Sequence, residues 1–87
     1  MSRIILFESK AKEQLDYWKK TNNEKILAKI RSLLKDIQEH PFTGLGKPEP
    51  LKGDYSGFWS RRIDKEHRLI YKVENDTIIV MQCRFHY

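Results

Sequence analysis

The chain has 87 residues, one small domain's worth, and folding at that size buries roughly two-thirds of the unfolded surface, enough for a modest core. The single cysteine, Cys83, excludes an intrachain disulfide, and three scattered histidines offer no zinc spacing. Seventeen Lys+Arg against twelve Asp+Glu leave a formal charge of +5, which suits either a polyanion or an acidic protein as partner.

In chain order, residues 3–7 read as a short strand of β-branched and aromatic residues. Ala11, Leu15 and Trp18 then recur at helical spacing, one apolar stripe. Thr21 and Glu24 have capping-box spacing ahead of a second helix, whose face is Ile26, Ile30, Leu33, Leu34 and Ile37. His40-Pro41 stops it, and the short connection predicts a helix hairpin. Residues 41–57 hold all three prolines and all four glycines, a shaped surface loop. Strand-like runs follow at 58–63, 67–73 and 77–85, joined by short polar turns and expected to pair as an antiparallel meander. The expected class is α+β: two N-terminal helices packed on one face of a small antiparallel β-sheet, in the order β-α-α-β-β-β. One domain spanning 1–87 is expected.

Strand alternation places Ile79, Met81, Cys83 and Phe85 on one face and Ile78, Val80, Gln82, Arg84 and His86 on the other. The helices can cover only one face, so Arg68, Arg84 and His86 are expected on the open one. The longest apolar runs, 4–7 and 78–81, are far below the roughly 18 residues of a membrane span, and charges at Glu8, Lys10 and Lys12 interrupt any leader. A cytoplasmic protein without membrane contact is expected.

Candidate chemistry sits in four pieces: residues 47–52, Ser60-Arg61-Arg62, Glu66-His67-Arg68 and His86-Tyr87. Glu49, held between two prolines, has the restricted backbone of a carboxylate that must point one way. The plainer alternatives are a solvated loop acid for Glu49, a frayed chain end for His86 and a surface ion pair for Arg68. His67 alternates with Leu69 and Tyr71, as a satisfied, half-buried histidine would, and Tyr55 is placed to stack on a base. Of Arg61 and Arg62, which point to opposite faces, one is free to be merely solvated. Ser60 lacks a nucleophile-elbow context, and there is no Gly-rich phosphate loop.

Four segments together strongly resemble one family. They are Gly46-Lys47-Pro48-Glu49-Pro50-Leu51-Lys52, Ser56-Gly57-Phe58-Trp59-Ser60-Arg61-Arg62-Ile63, Glu66-His67-Arg68-Leu69-Ile70-Tyr71 and Cys83-Arg84-Phe85-His86-Tyr87. The family is the YoeB/Txe toxins of bacterial type II toxin–antitoxin modules, within the RelE-like superfamily. The resemblance implies a ribosome-dependent endoribonuclease that cuts mRNA in the decoding site and arrests translation. It implies Glu49 as general base, Arg68 as transition-state stabiliser, His86 as general acid, Tyr87 as support, and Lys52, Arg62 and Glu66 as substrate contacts. It also implies an acidic YefM/Axe-like antitoxin, the 70S ribosome and mRNA as partners, a homodimer as an option, and no cofactor or metal. Two other classes remain: a ParE-like toxin acting on DNA gyrase, and a non-catalytic basic RNA- or ribosome-binding module.

Overall fold

In the computed structural model, which describes residues 3–86, the first apolar run forms β1 (Ile4–Phe7), followed by α1 (Ser9–Lys20) and α2 (Glu24–Glu39). Ala11 and Trp18 are buried and Leu15 packs at their edge, as the helical spacing predicts. Lys19 and Lys20 fill the last turn of α1, where cations complement the helix dipole. The cap of α2 differs from expectation. Asn23 provides it, accepting from the Ile26 amide at 3.2 Å, while the Thr21 hydroxyl donates back to the Tyr17 carbonyl at 2.9 Å. Thr21 thus closes α1 and cannot also open α2, so the capping box does not form. At its far end α2 stops as expected, with the His40 N–H still reaching the Asp36 carbonyl ahead of Pro41.

The sheet contains β2 (Glu49–Pro50), β3 (Trp59–Arg62), β4 (Arg68–Glu74) and β5 (Thr77–Gln82), in the spatial order β1-β5-β4-β3-β2. The antiparallel meander of β3, β4 and β5 is present, and both helices precede it. Two features enlarge it. The β1 strand pairs parallel to β5, making the sheet mixed, and β2 adds an edge inside the Pro/Gly-rich loop. That edge tolerates Pro50, which has no N–H to offer a further strand.

Leu69, Tyr71, Ile78 and Val80 join Trp18, Ile30 and Leu33 in one core between the helices and one face of the sheet. Alternation along the last strand breaks before it reaches the C-terminus. Tyr71 pairs with Val80 but Ile70 pairs with Gln82, so Met81 is an extra, bulged residue. The bulge reverses the expected parity: Cys83 is fully buried in the same core as Ile78 and Val80, not on the face of Ile79.

Candidate active site

The loop leading to Glu49 is built around a buried cation. Arg61 is 0% exposed, and all five of its N–H donors are used. Nε donates to the Tyr71 hydroxyl at 3.0 Å, Nη1 to the Asp36 carboxylate and the Leu45 carbonyl, and Nη2 to the His40 and Thr43 carbonyls. The Tyr71 hydroxyl in turn donates to the Pro41 carbonyl at 2.7 Å. One side chain therefore holds residues 40–45 against α2 and the sheet. Its hydrogen bond and charge keep the Asp36 carboxyl below its ordinary 3.8, against the opposing pull of burial, and the Leu45 amide adds to the lowering. Burial raises the Tyr71 phenol above 10, opposed by Arg61. Gly44, at φ +115°, lies so close that a Cβ would collide with the Asp36 carboxylate, and the Gly46 carbonyl accepts from the Arg62 amide at 2.7 Å. The chain then reaches β2, where Glu49 faces Ser60, and Leu51, buried, donates to the Phe58 carbonyl at 2.9 Å. Glu49 and Lys52 are exposed on the same shallow depression.

Arg62 and Arg68 are paired across β3 and β4. Arg62 is exposed, whereas Arg68 is 9% exposed and clasped by the turn before it. Its Nη1 donates to the Asp64, Lys65 and His67 carbonyls at 2.8, 3.3 and 3.1 Å. Asp64 shapes that turn by accepting from the Glu66 and His67 amides, leaving Glu66 in solvent. Among the described residues no carboxylate forms an ion pair with Arg68. It is a positioned guanidinium with charge to spare for an anion.

The C-terminal segment is tied down rather than frayed. The Cys83 amide donates to Gln14 at 2.8 Å, and its carbonyl accepts from the Trp18 indole at 2.9 Å. Its thiol, which burial pushes up to about 12, stays protonated and donates to the Ala11 carbonyl. The Arg84 guanidinium lies 3.4 Å from the Tyr17 ring centroid and 4.3 Å from that of Phe85. It stacks against α1, which corrects the expectation that Arg84 shares an open face with Arg68. Phe85 adopts a left-handed φ of 69°, its amide donating to His67 Nδ1 at 2.8 Å and its carbonyl accepting from the Arg68 amide at 3.0 Å. His67, packed edge-on to Trp18, is the satisfied histidine expected. Finally, Gln82 Nε2 donates to the Phe85 and His86 carbonyls at 3.2 and 3.1 Å, fixing the exposed His86 beside β5.

Register gathers these pieces. Glu49, Ser60, Ile70 and Gln82 form one row across the open face, with Arg62 and Arg68 in the neighbouring row. At about 4.8 Å per strand the first row spans about 14 Å, and Gln82 and the Arg68 amide bring the chain end to its far side. Glu49, Arg62 and Arg68 thus share one face of the sheet with the His86 backbone anchored at its far side, while Lys52 shares the depression of Glu49 and Glu66 stands on the turn before Arg68. Tyr87 lies outside the described residues. Among those residues no group of three His, Cys, Asp or Glu side chains could hold a metal ion, and no helix is long and apolar enough to cross a membrane.

The family model described as YoeB-like toxin of bacterial type II toxin–antitoxin system matches residues 7–87. The chain belongs to that family. It is 54% identical over 71 residues to toxin YoeB of Escherichia coli K12, covering 82% of this chain and 83% of that one. A YoeB dimer from Staphylococcus aureus superposes with a TM-score of 0.90 at 40% identity, over 100% of both chains. The toxin chain of a YoeB–YefM complex from the same organism gives 0.88 at 41%, again over 100% of both. Sequence reasoning named Arg61 without a role and passed over Gln82 in this YoeB-like site. A second arginine beside Arg62 hints at the first, but its partners come from far along the chain.

Proposed function

We propose that this YoeB-like toxin is an endoribonuclease that cuts mRNA on the ribosome and so stops translation. The observation that carries this reading is Arg68, a largely buried guanidinium without a carboxylate partner among the described residues, in the row beside that of Glu49 and with its amide bonded to the tail that carries His86. Glu49 takes the proton of a ribose 2′-hydroxyl, whose oxygen attacks the adjacent phosphorus. Arg68, with Lys52 and Arg62 beside it, holds the charge that builds on the phosphoryl oxygens. The P–O5′ bond breaks as His86 gives its proton to the leaving oxygen, and Tyr87 supports the site. A carboxylate is a proton acceptor and an imidazole can carry a proton to a leaving oxygen, which suits Glu49 as base and His86 as acid. Glu66 contacts the substrate. No step calls for a metal.

The patch is shallow and lies on an open sheet face, so a flexible RNA gains little orientation from this chain alone. A ribosome that presents the mRNA in a fixed bend supplies that orientation. The S. aureus assemblies support a YefM-like antitoxin and a homodimer for this chain too; the charge of +5 suits an acidic antitoxin, and a ribosomal target places the toxin in the cytoplasm. End-group analysis of the fragments tests the mechanism. Attack by the 2′-oxygen leaves a 2′,3′-cyclic phosphate or 3′-phosphate and a 5′-hydroxyl; fragments with 5′-phosphate and 3′-hydroxyl ends would contradict it.

A further inference from the structure

Beside the Glu49 row a cleft of about 220 Å³ opens on the same sheet face, lined by Lys10, Asp54, Tyr55, Phe58, Ile70, Met81 and Gln82. Ile70 and Gln82 belong both to this cleft and to the row that carries Glu49. Its walls are aromatic: Tyr55, 50% exposed, stands edge-on to Phe58 with ring centroids 6.5 Å apart. Its floor is apolar, because the bulge at Met81 adds a side chain beside the nearly fully buried Ile70. Its rim is polar. Lys10 and Asp54 are exposed, and just outside the lining Lys72 Nζ sits 5.5 Å from the Phe58 ring centroid while paired with Glu74 at 2.7 Å. Gln82 spends Nε2 on the Phe85 and His86 carbonyls, leaving Oε1 as an acceptor.

We infer that this cleft holds one nucleobase of the RNA beside the scissile phosphate, stacked on Tyr55; the inference rests on the nuclease reading above. A flat apolar slot with an aromatic wall, cations at its edge and direct continuity with the phosphate-facing row suits a base. A base attached to the bound backbone needs no second binding event to reach it. Asp54 and Gln82 Oε1 both accept, so the rim favours bases that present an amino group (adenine, guanine, cytosine) over uracil, which has none. Gln82 then serves two ends, a base contact on one side and the His86 carbonyl on the other.

The test is a set of mRNAs identical except for the base flanking one strong cleavage site, translated in a purified system with wild type, Tyr55→Ala, Tyr55→Phe or Asp54→Asn and mapped by primer extension. Loss of one base–aromatic stack lowers cleavage by Tyr55→Ala on the order of tenfold, and Tyr55→Phe restores it. Asp54→Asn narrows the preference for amino-bearing bases. Thermal melts of Tyr55→Ala should match wild type, since the side chain is half in solvent. If wild type cuts and Tyr55→Ala cuts at the same rate and sites, the cleft is not a base site, while the nuclease reading stands. If Tyr55→Ala keeps full cleavage but loses binding to a co-expressed YefM-like antitoxin, the occupant is a protein side chain and the inference is wrong. Wild type that never cuts mRNA overturns the nuclease reading itself.

Discussion

Glu49 and His86 differ in what holds them. Glu49 owes its place to a two-residue strand and the buried Leu51 after it, and His86 to a tail tied to α1 and β4, with the Gln82 side chain donating to its carbonyl. Removing a positioned proton-transfer group costs on the order of 10²–10⁴ in rate, so Glu49→Ala and His86→Ala should each cut single-turnover cleavage by that range. The double variant should lose less than the product, because the proposed mechanism has the two act in one step. Unchanged cleavage by a folded Glu49→Ala protein would remove it as the base. Asp36 makes a separate, structural prediction. Its folded pKa is lowered, so its contribution is present above the unfolded value of about 3.9 and fades as pH falls through the folded one. Thermal melts should therefore show an acid-side loss below about pH 4 that shrinks in Asp36→Asn.

Among the elements, the helices and the meander were legible because their signals are local: apolar spacing, a proline stop, short polar turns. The short β2 was not, since Glu49-Pro50 is a strand only through its pairing with β3. The parity of the C-terminus was not either, because a bulge of one residue at Met81 leaves no mark in composition yet redirects Cys83, Arg84 and His86. The candidate residues themselves were legible as types and through family resemblance. Arg61 was not, as its five partners lie in residues 36–45 and Tyr71, brought together only by folding. Breaking a buried ion pair from one side costs about 3–5 kcal/mol, so Arg61→Ala should lower the melting temperature sharply and loosen the loop that delivers Glu49. Gly44→Ala should destabilise the same loop, through its left-handed backbone and the clash with Asp36. Urea melts of both variants check this; wild-type stability in Arg61→Ala would show that the network is dispensable. The tail is held partly by stacking, and Arg84→Ala should lose about 0.5–2 kcal/mol and speed amide exchange at Phe85.

At the scale of the whole molecule, a charge of +5 and an open, weakly walled site belong together. On the proposed reading, such a protein works on a large anionic scaffold and is restrained by an acidic chain. Association with that chain should slow steeply as salt is raised, since complementary charge acts mainly on the encounter rate. Restraint has two geometric routes here: covering Arg68 and Lys52, or pulling the tail from its hold on Gln82, Tyr17 and His67. Structures of the free and bound toxin separate them by the position of His86. The most direct measurement is primer extension on one defined mRNA incubated with the purified toxin, in parallel with and without translating ribosomes. Discrete cuts within the translated region, appearing only with ribosomes and absent with Glu49→Ala, are the expected result. Equal cutting of the free mRNA at the same toxin concentration, or intact mRNA in both reactions, would contradict a ribosome-dependent nuclease.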